Sequence, residues 1–105
     1  MPVRTYAGRA VEIDGEGYFT DPATWREEMI PEIARDEGLG ELTSHHLQVV
    51  TFMRHEYEEH GGGPSVRMLA KTSGVGVKEL YALFPKGPAK VAAKIAGIPK
   101  PRGCI

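Results

Sequence analysis

The sequence predicts a small, mainly α-helical domain with an N-terminal β-hairpin and a non-helical C-terminal arm. Three observations predict it. Apolar residues recur at helical spacing from Trp25 to Ile95, interrupted by Gly and Pro. Apolar and polar residues alternate over residues 10–20, around Asp14-Gly15. The chain ends IPKPRGCI, where Pro99 and Pro101 exclude helix and impose an extended course. A length of 105 residues suits one domain, read as residues 1–98, followed by an arm of residues 99–105.

The stretch AVEIDGEGYFT (10–20) alternates around Asp14-Gly15 and reads as a hairpin, with Gly15 or Gly17 at positive φ. Asp21-Pro22 reads as an N-cap followed by Pro at N1. Trp25, Met29 and Ile33 follow at spacing four as one buried stripe, and Pro31 predicts a kink or two short helices. Gly38 and Gly40 end that segment. Thr43 caps the longest helix, about residues 44–60, with Leu47, Val50, Phe52, Met53 and Tyr57 on its apolar side. Gly61-Gly62-Gly63 stops it, and Pro64 opens PSVRMLAKT, with Val66, Leu69 and Ala70 inward. Ser73-Gly74 turns the chain into the short helix VKELYALF, which stops before Pro85. Pro88 starts PAKVAAKIA, with Val91, Ala92 and Ile95 facing in and Gly97 at C′.

Composition bounds the chemistry. No apolar run approaches the roughly 18 residues of a membrane span. The N-terminus MPVRTYAGRAVEIDGEG has no apolar signal core, so no membrane association is expected. One cysteine excludes an internal disulfide and fits a reducing cytoplasm. The net charge of −1 hides a split: residues 1–60 carry 5 Lys+Arg and 13 Asp+Glu, whereas residues 61–105 carry 8 Lys+Arg and only Glu79. Either the halves attract each other within the fold, or the basic half faces a polyanion or an acidic partner.

Of the motif-like stretches, HEYEEH (55–60) does not fit the zinc-protease pattern. His55 and His60 lie five apart, roughly 140° around a helix. No metal and no cofactor are expected. PKGPAK (85–90) lacks phosphate-loop spacing, although a helix start with Lys86 and Lys90 can hold an anion. Residues 64–84 have helix-turn-helix spacing, so a nucleic-acid-binding regulator is one alternative function. The second helix offers only Lys78 and Glu79 as polar side chains, and neither is suited to reading bases, so only weak nucleic-acid contact is expected.

Cys104, the only thiol, is the penultimate residue. Burial is hard to arrange there. Lys100 and Arg102 favour its thiolate, and the carboxylate of Ile105 opposes it. A Pro-Lys-Pro arm loses little entropy on docking and can deliver a sulfur atom into another protein's pocket.

The run LFPKGPAKVAAKIAGIPKPRGCI (83–105) resembles the C-terminus of the DsrC/TusE family of sulfur-carrier proteins. GYFTDPATW (17–25), LTSHHLQVVTFMRHEYEE (42–59) and PSVRMLAK (64–71) are similar to the corresponding family stretches, in the same order. The resemblance implies a small orthogonal helical bundle with an N-terminal hairpin, a helix-turn-helix-like element and a mobile C-terminal arm. It implies that Cys104 carries a persulfide, taken from an upstream donor protein and passed to a downstream acceptor. The acceptor is either a tRNA-thiolating enzyme or a sulfite reductase-type complex, of which the chain would be a gamma-type partner. Lys86, Lys90, Lys100 and Arg102 are the candidates for docking and thiolate stabilisation. Two-cysteine members of the family carry a second thiol at a position that is Ala93 here, which favours a one-cysteine, TusE-like carrier acting with partner enzymes. The segment between Lys71 and Tyr81 is shorter than the family pattern, which bears on partner choice.

Overall fold

The computed structural model describes residues 2–101. The order is a β-hairpin, two 3₁₀ turns and five α-helices. Strands β1 (Val3–Tyr6) and β2 (Arg9–Glu12) pair antiparallel, with Val3 opposite Glu12 and Tyr6 opposite Arg9. The loop between them is Ala7-Gly8, at φ 51° and 75°, as a two-residue primed turn requires. The hairpin therefore lies upstream of the expected residues 10–20. The alternation seen there belongs partly to β2, whose partner is the mostly exposed strand VRTY. Residues 13–19 instead fold back through one bridge, Ile13 to Phe19. The Asp14 carboxylate accepts from the amides of Glu16 (2.9 Å) and Tyr18 (3.0 Å), which stands in for ladder bonds. Of the two glycines expected at positive φ, Gly17 takes it, at 97°.

Asp21 caps a 3₁₀ turn, Pro22–Thr24, by accepting from Ala23 N. An extended Trp25 separates it from a second turn, Glu27–Met29, and from α1, Ile30–Asp36. Pro31 sits in the first turn of α1, where its missing N–H costs nothing, so it starts this helix rather than kinking it. Met29 and Ile33 are buried; Trp25, outside the helix, is half-buried.

Helix α2, Ser44–His60, has the bounds that the cap and glycines predict. Its buried side is His46, Val49, Val50 and Met53, with Phe52 and Tyr57 only partly covered. Leu47, expected inward, is 41% exposed. The cause is the reciprocal cap: Thr43 N donates to His46 Nδ1 (3.0 Å) and His46 Nε2 donates to the Leu83 carbonyl (2.9 Å). Those bonds draw His46 inward, edge-on to Phe84, and turn Leu47 outward.

Helix α3 (Val66–Thr72) is capped by Ser65, so Pro64 precedes the cap rather than opening the helix. Residues 73–76 turn the chain, with Gly74 at φ 85°, into α4 (Val77–Leu83). Leu69, Leu80 and Phe84 are fully buried. Each such side chain contributes roughly 1.5–3 kcal/mol relative to exposure. His45 on α2 pairs with Glu79 on α4.

Helix α5 (Pro88–Ile95) packs against α1, α2, α3 and α4. Ala89, Ala92, Ala93 and Ala96 are completely buried, and their small size lets four helices crowd one. The hairpin adds Tyr6, Val11 and Ile13 to the same core. Among the described residues, no helix is long and apolar enough to cross a membrane.

Candidate functional site: the root of the C-terminal arm

The position from which the arm departs is set by the end of α5. Gly97 N donates to the Lys94 carbonyl (3.1 Å) and Ile98 N to the Ala93 carbonyl (3.1 Å), a complete Schellman motif. Gly97 holds φ at 67°. The remaining carbonyls are taken by two distant side chains. Trp25 Nε1 donates to the Ile95 carbonyl at 2.9 Å. Arg54 Nη1 donates to the Ala96 carbonyl (2.8 Å) and the Gly97 carbonyl (3.3 Å), and Nη2 to the Pro22 carbonyl (2.9 Å). The guanidinium also lies 4.3 Å from the centre of the Trp25 ring. This cation at a helix C-terminus is favourable electrostatically as well as by hydrogen bonding.

Beyond Gly97, Ile98 is fully buried and Pro101 is buried. Gly63, from the triple glycine after α2, faces both. A Cβ there would meet Ile98 Cδ1 at 2.9 Å, Met53 Sδ at 3.1 Å and Pro101 Cγ at 3.4 Å. Lys100 is exposed and pairs with Glu16 at 3.0 Å. Lys94 pairs with Glu37 at 3.3 Å and lies 5.3 Å from the Tyr18 ring centre. Their partners Glu16 and Glu37 line a hollow of about 370 Å³ together with Asp14, Asp36 and Arg4. Burial, then Glu16, Asp14 and Glu37, pushes the Tyr18 phenol up to about 12. Tyr6, buried and donating to Asp36 at 2.7 Å, is raised likewise, by burial first and that bond second.

The sequence-predicted basic residues do not share one place. The Lys86 ammonium lies against Gly38, beyond the end of α1. Lys90 is exposed in the first turn of α5, its stem against Gly87. Lys100 lies past the other end of α5, a helix about 12 Å long. Arg102 and Cys104 lie outside the described residues. Ala93 is fully buried on α5. His60 sits 3.9 Å from Glu56, and among the described residues no three His, Cys, Asp or Glu side chains are grouped to hold a metal.

Sequence reasoning missed the Trp25–Arg54 clamp. The spacing of Trp25 with Met29 and Ile33 marks it only as core, and Arg54 reaches carbonyls more than forty residues away. No local pattern marks such a contact. The triple glycine signals only a helix stop in the sequence, although Gly63 is also needed for the close approach of Ile98 and Pro101.

The fold and this site define a small helical domain whose last described residues, 95–101, are fixed by Trp25, Arg54 and Gly63. The sequence model of the "DsrC like protein" family matches residues 5–105, and the chain belongs to that family. It is 44% identical over 107 aligned positions to the sulfurtransferase TusE of Pectobacterium atrosepticum, covering 95% of this chain and 97% of that one. It is 38% identical over 101 positions to the dissimilatory-type sulfite reductase subunit gamma of Nitratidesulfovibrio vulgaris, covering 96% of each. Among solved structures, the Allochromatium vinosum DsrC solution structure superposes with a TM-score of 0.82 at 35% identity, over 98% of this chain and 97% of that one. A chain of the crystal structure of dissimilatory sulfite reductase I superposes at 0.87 with 38% identity, over 99% and 100%.

Proposed function

We propose that this protein is a sulfur carrier that takes sulfane sulfur onto Cys104 and surrenders it to an acceptor on the route to 2-thiouridine in tRNA. The observation that carries the reading is the family match, which runs to residue 105 and so includes the GIPKPRGCI end. The firmly held arm root supports it, because a delivered atom needs a fixed point of departure.

In the loading step the Cys104 thiolate attacks the outer sulfur of a donor persulfide. One S–S bond forms as another breaks, the donor thiolate leaves, and Cys104 gains one sulfur with no net oxidation. In the unloading step an acceptor nucleophile takes that sulfur and Cys104 returns as thiolate. Lys86, Lys90, Lys100 and Arg102 serve docking or thiolate stabilisation, Lys100 being available once its exposed pair with Glu16 opens. A solvated pair of this kind contributes only about 0–1 kcal/mol, so a partner can displace it. The donor and the acceptor enzyme supply the rest of the chemistry, in a reducing cytoplasm.

Intact-mass spectrometry tests this. With a persulfide donor, Cys104 should gain roughly 32 Da, reversibly by reductant, and Cys104→Ser should gain nothing while remaining folded. An unmodified wild-type chain under conditions that load other thiols would refute the reading.

One observation favours a second acceptor, a sulfite reductase that the chain would serve as a gamma-type partner. The alignment with TusE spans 107 positions, longer than this chain of 105, whereas the gamma subunit aligns over 101. The TusE relative therefore carries residues this chain lacks, in keeping with the short 72–80 segment. Sulfur transfer from loaded Cys104 to a tRNA-thiolating enzyme, against transfer to a sulfite reductase, separates the two.

A further inference from the structure

We propose that the outer face of α3 and α4 is a docking surface for an acidic, apolar patch on a partner protein. That the partner is a member of the sulfur relay rests on the carrier reading; the docking itself does not.

Among the described residues, five large hydrophobic side chains are notably exposed, and three of them lie here: Met68 at 45%, Val77 at 50% and Tyr81 at 50%. Val77 and Tyr81 stand one turn apart on the same side of α4. Arg67, Lys71 and Lys78 are exposed on the same two helices. Among the described residues none of the three is in an ion pair, and the only acid of this stretch, Glu79, is held by His45. The cations are therefore not paired among the described residues. The reading in which the two oppositely charged halves simply attract each other does not account for them.

The packing of α3 and α4 leaves these residues no role of their own. Leu69 and Leu80 supply the buried side of the pair, at 0% exposure each. An exposed Met, Val and Tyr add nothing to that core, and such residues on a charged surface mark protein interfaces. Their chemistry favours a protein over a nucleic acid: α4 presents no Arg, Asn or Gln to base edges, and the exposed Met68 and Val77 suit an apolar protein patch. The surface also leads to the arm. Pro101 rests on Gly63, two residues ahead of the Ser65 cap of α3. From Pro101 the chain has three residues to Cys104, at most about 10 Å of reach.

The test uses the reduced full-length protein, labelled for amide NMR, at about 0.15 M salt. The probe is a synthetic amphipathic helix with leucines along one face flanked by glutamates. A lysine-for-glutamate version and a DNA duplex serve as competitors. The glutamate peptide should shift amides of α3 and α4 and bind about tenfold more weakly to the Val77→Ser/Tyr81→Ser variant, whose changed residues are surface-exposed. The lysine peptide should not bind. Equal binding to the variant, or shifts centred elsewhere, would overturn the proposal. So would duplex binding that is tighter than peptide binding and indifferent to the variant, which would make this a nucleic-acid surface. Self-association of the free protein that the variant abolishes would instead make a second copy the occupant and also overturn it. Loading of Cys104 by glutathione persulfide, measured on the same samples, keeps the two readings apart. Normal loading with lost peptide binding assigns the face to docking. Intact peptide binding without loading overturns sulfur carriage and leaves the docking surface standing.

Discussion

Replacing Gly97 by Ala is the sharpest perturbation of the arm root. A Cβ at Gly97 would lie 2.2 Å from Trp25 Cδ1, 2.4 Å from Cγ and 2.7 Å from Cβ. Rotating the indole cannot relieve the last contact, because Cβ does not move with χ1. The backbone at residue 25 or residue 97 must shift. Alanine at φ 67° costs about 1–2 kcal/mol by itself. Losing the indole bond to the Ile95 carbonyl adds about 1 kcal/mol. Disturbing the Arg54–Trp25 stack adds about 0.5–2 kcal/mol. The total of about 2.5–5 kcal/mol is a large part of the roughly 5–15 kcal/mol available to a small domain. Trp25 is the only tryptophan, so its fluorescence reports the site directly, with urea unfolding followed by fluorescence and circular dichroism. Gly40→Ala is the control: nothing lies within 4 Å of its Cβ position, and it should change stability by less than about 1 kcal/mol. A Gly97→Ala protein within 1 kcal/mol of wild type, with an unchanged Trp25 spectrum, would refute the clamp.

Arg54→Ala should lower stability by about 2–4 kcal/mol by freeing the Ala96, Gly97 and Pro22 carbonyls, read as the urea midpoint. Arg54→Lys should recover only a minor part, since an ammonium cannot fork across them; full recovery would contradict the geometry. With Ala93 in place of a second thiol, oxidation should yield a Cys104–Cys104 dimer or a mixed disulfide on non-reducing gels. An oxidised monomer with neither adduct nor free thiol would exclude this. Tyr18 is held neutral up to about 12 in the fold, against about 10 in an unfolded chain. Its contribution is therefore complete below about pH 10 and is lost as pH rises from there toward 12. Tyr18→Phe should flatten the alkaline fall in the urea midpoint, and an unchanged slope would count against the assignment.

Helix ends were legible because their signals are local. Thr43 and the glycine run bound α2, Pro88 and Gly97 bound α5, and these residues act through backbone groups within a turn of themselves. The hairpin was misplaced because alternation marks a strand but not its partner, and Ala7-Gly8 is a less common primed turn than Asn-Gly. The outward Leu47 was illegible because helix phase here follows His46, whose second bond goes to Leu83 on another helix. The position of the thiol, the proline arm and the family motifs were all plain in the chain, since each is a covalent fact. What only the tertiary structure decided is how residues 95–101, at the root of the arm, are held. Arg54, Trp25, Gly63 and Glu16 converge on residues 95–101 from four separate segments. That convergence depends on how α5 sits among four helices, and no spacing along a one-dimensional sequence encodes it.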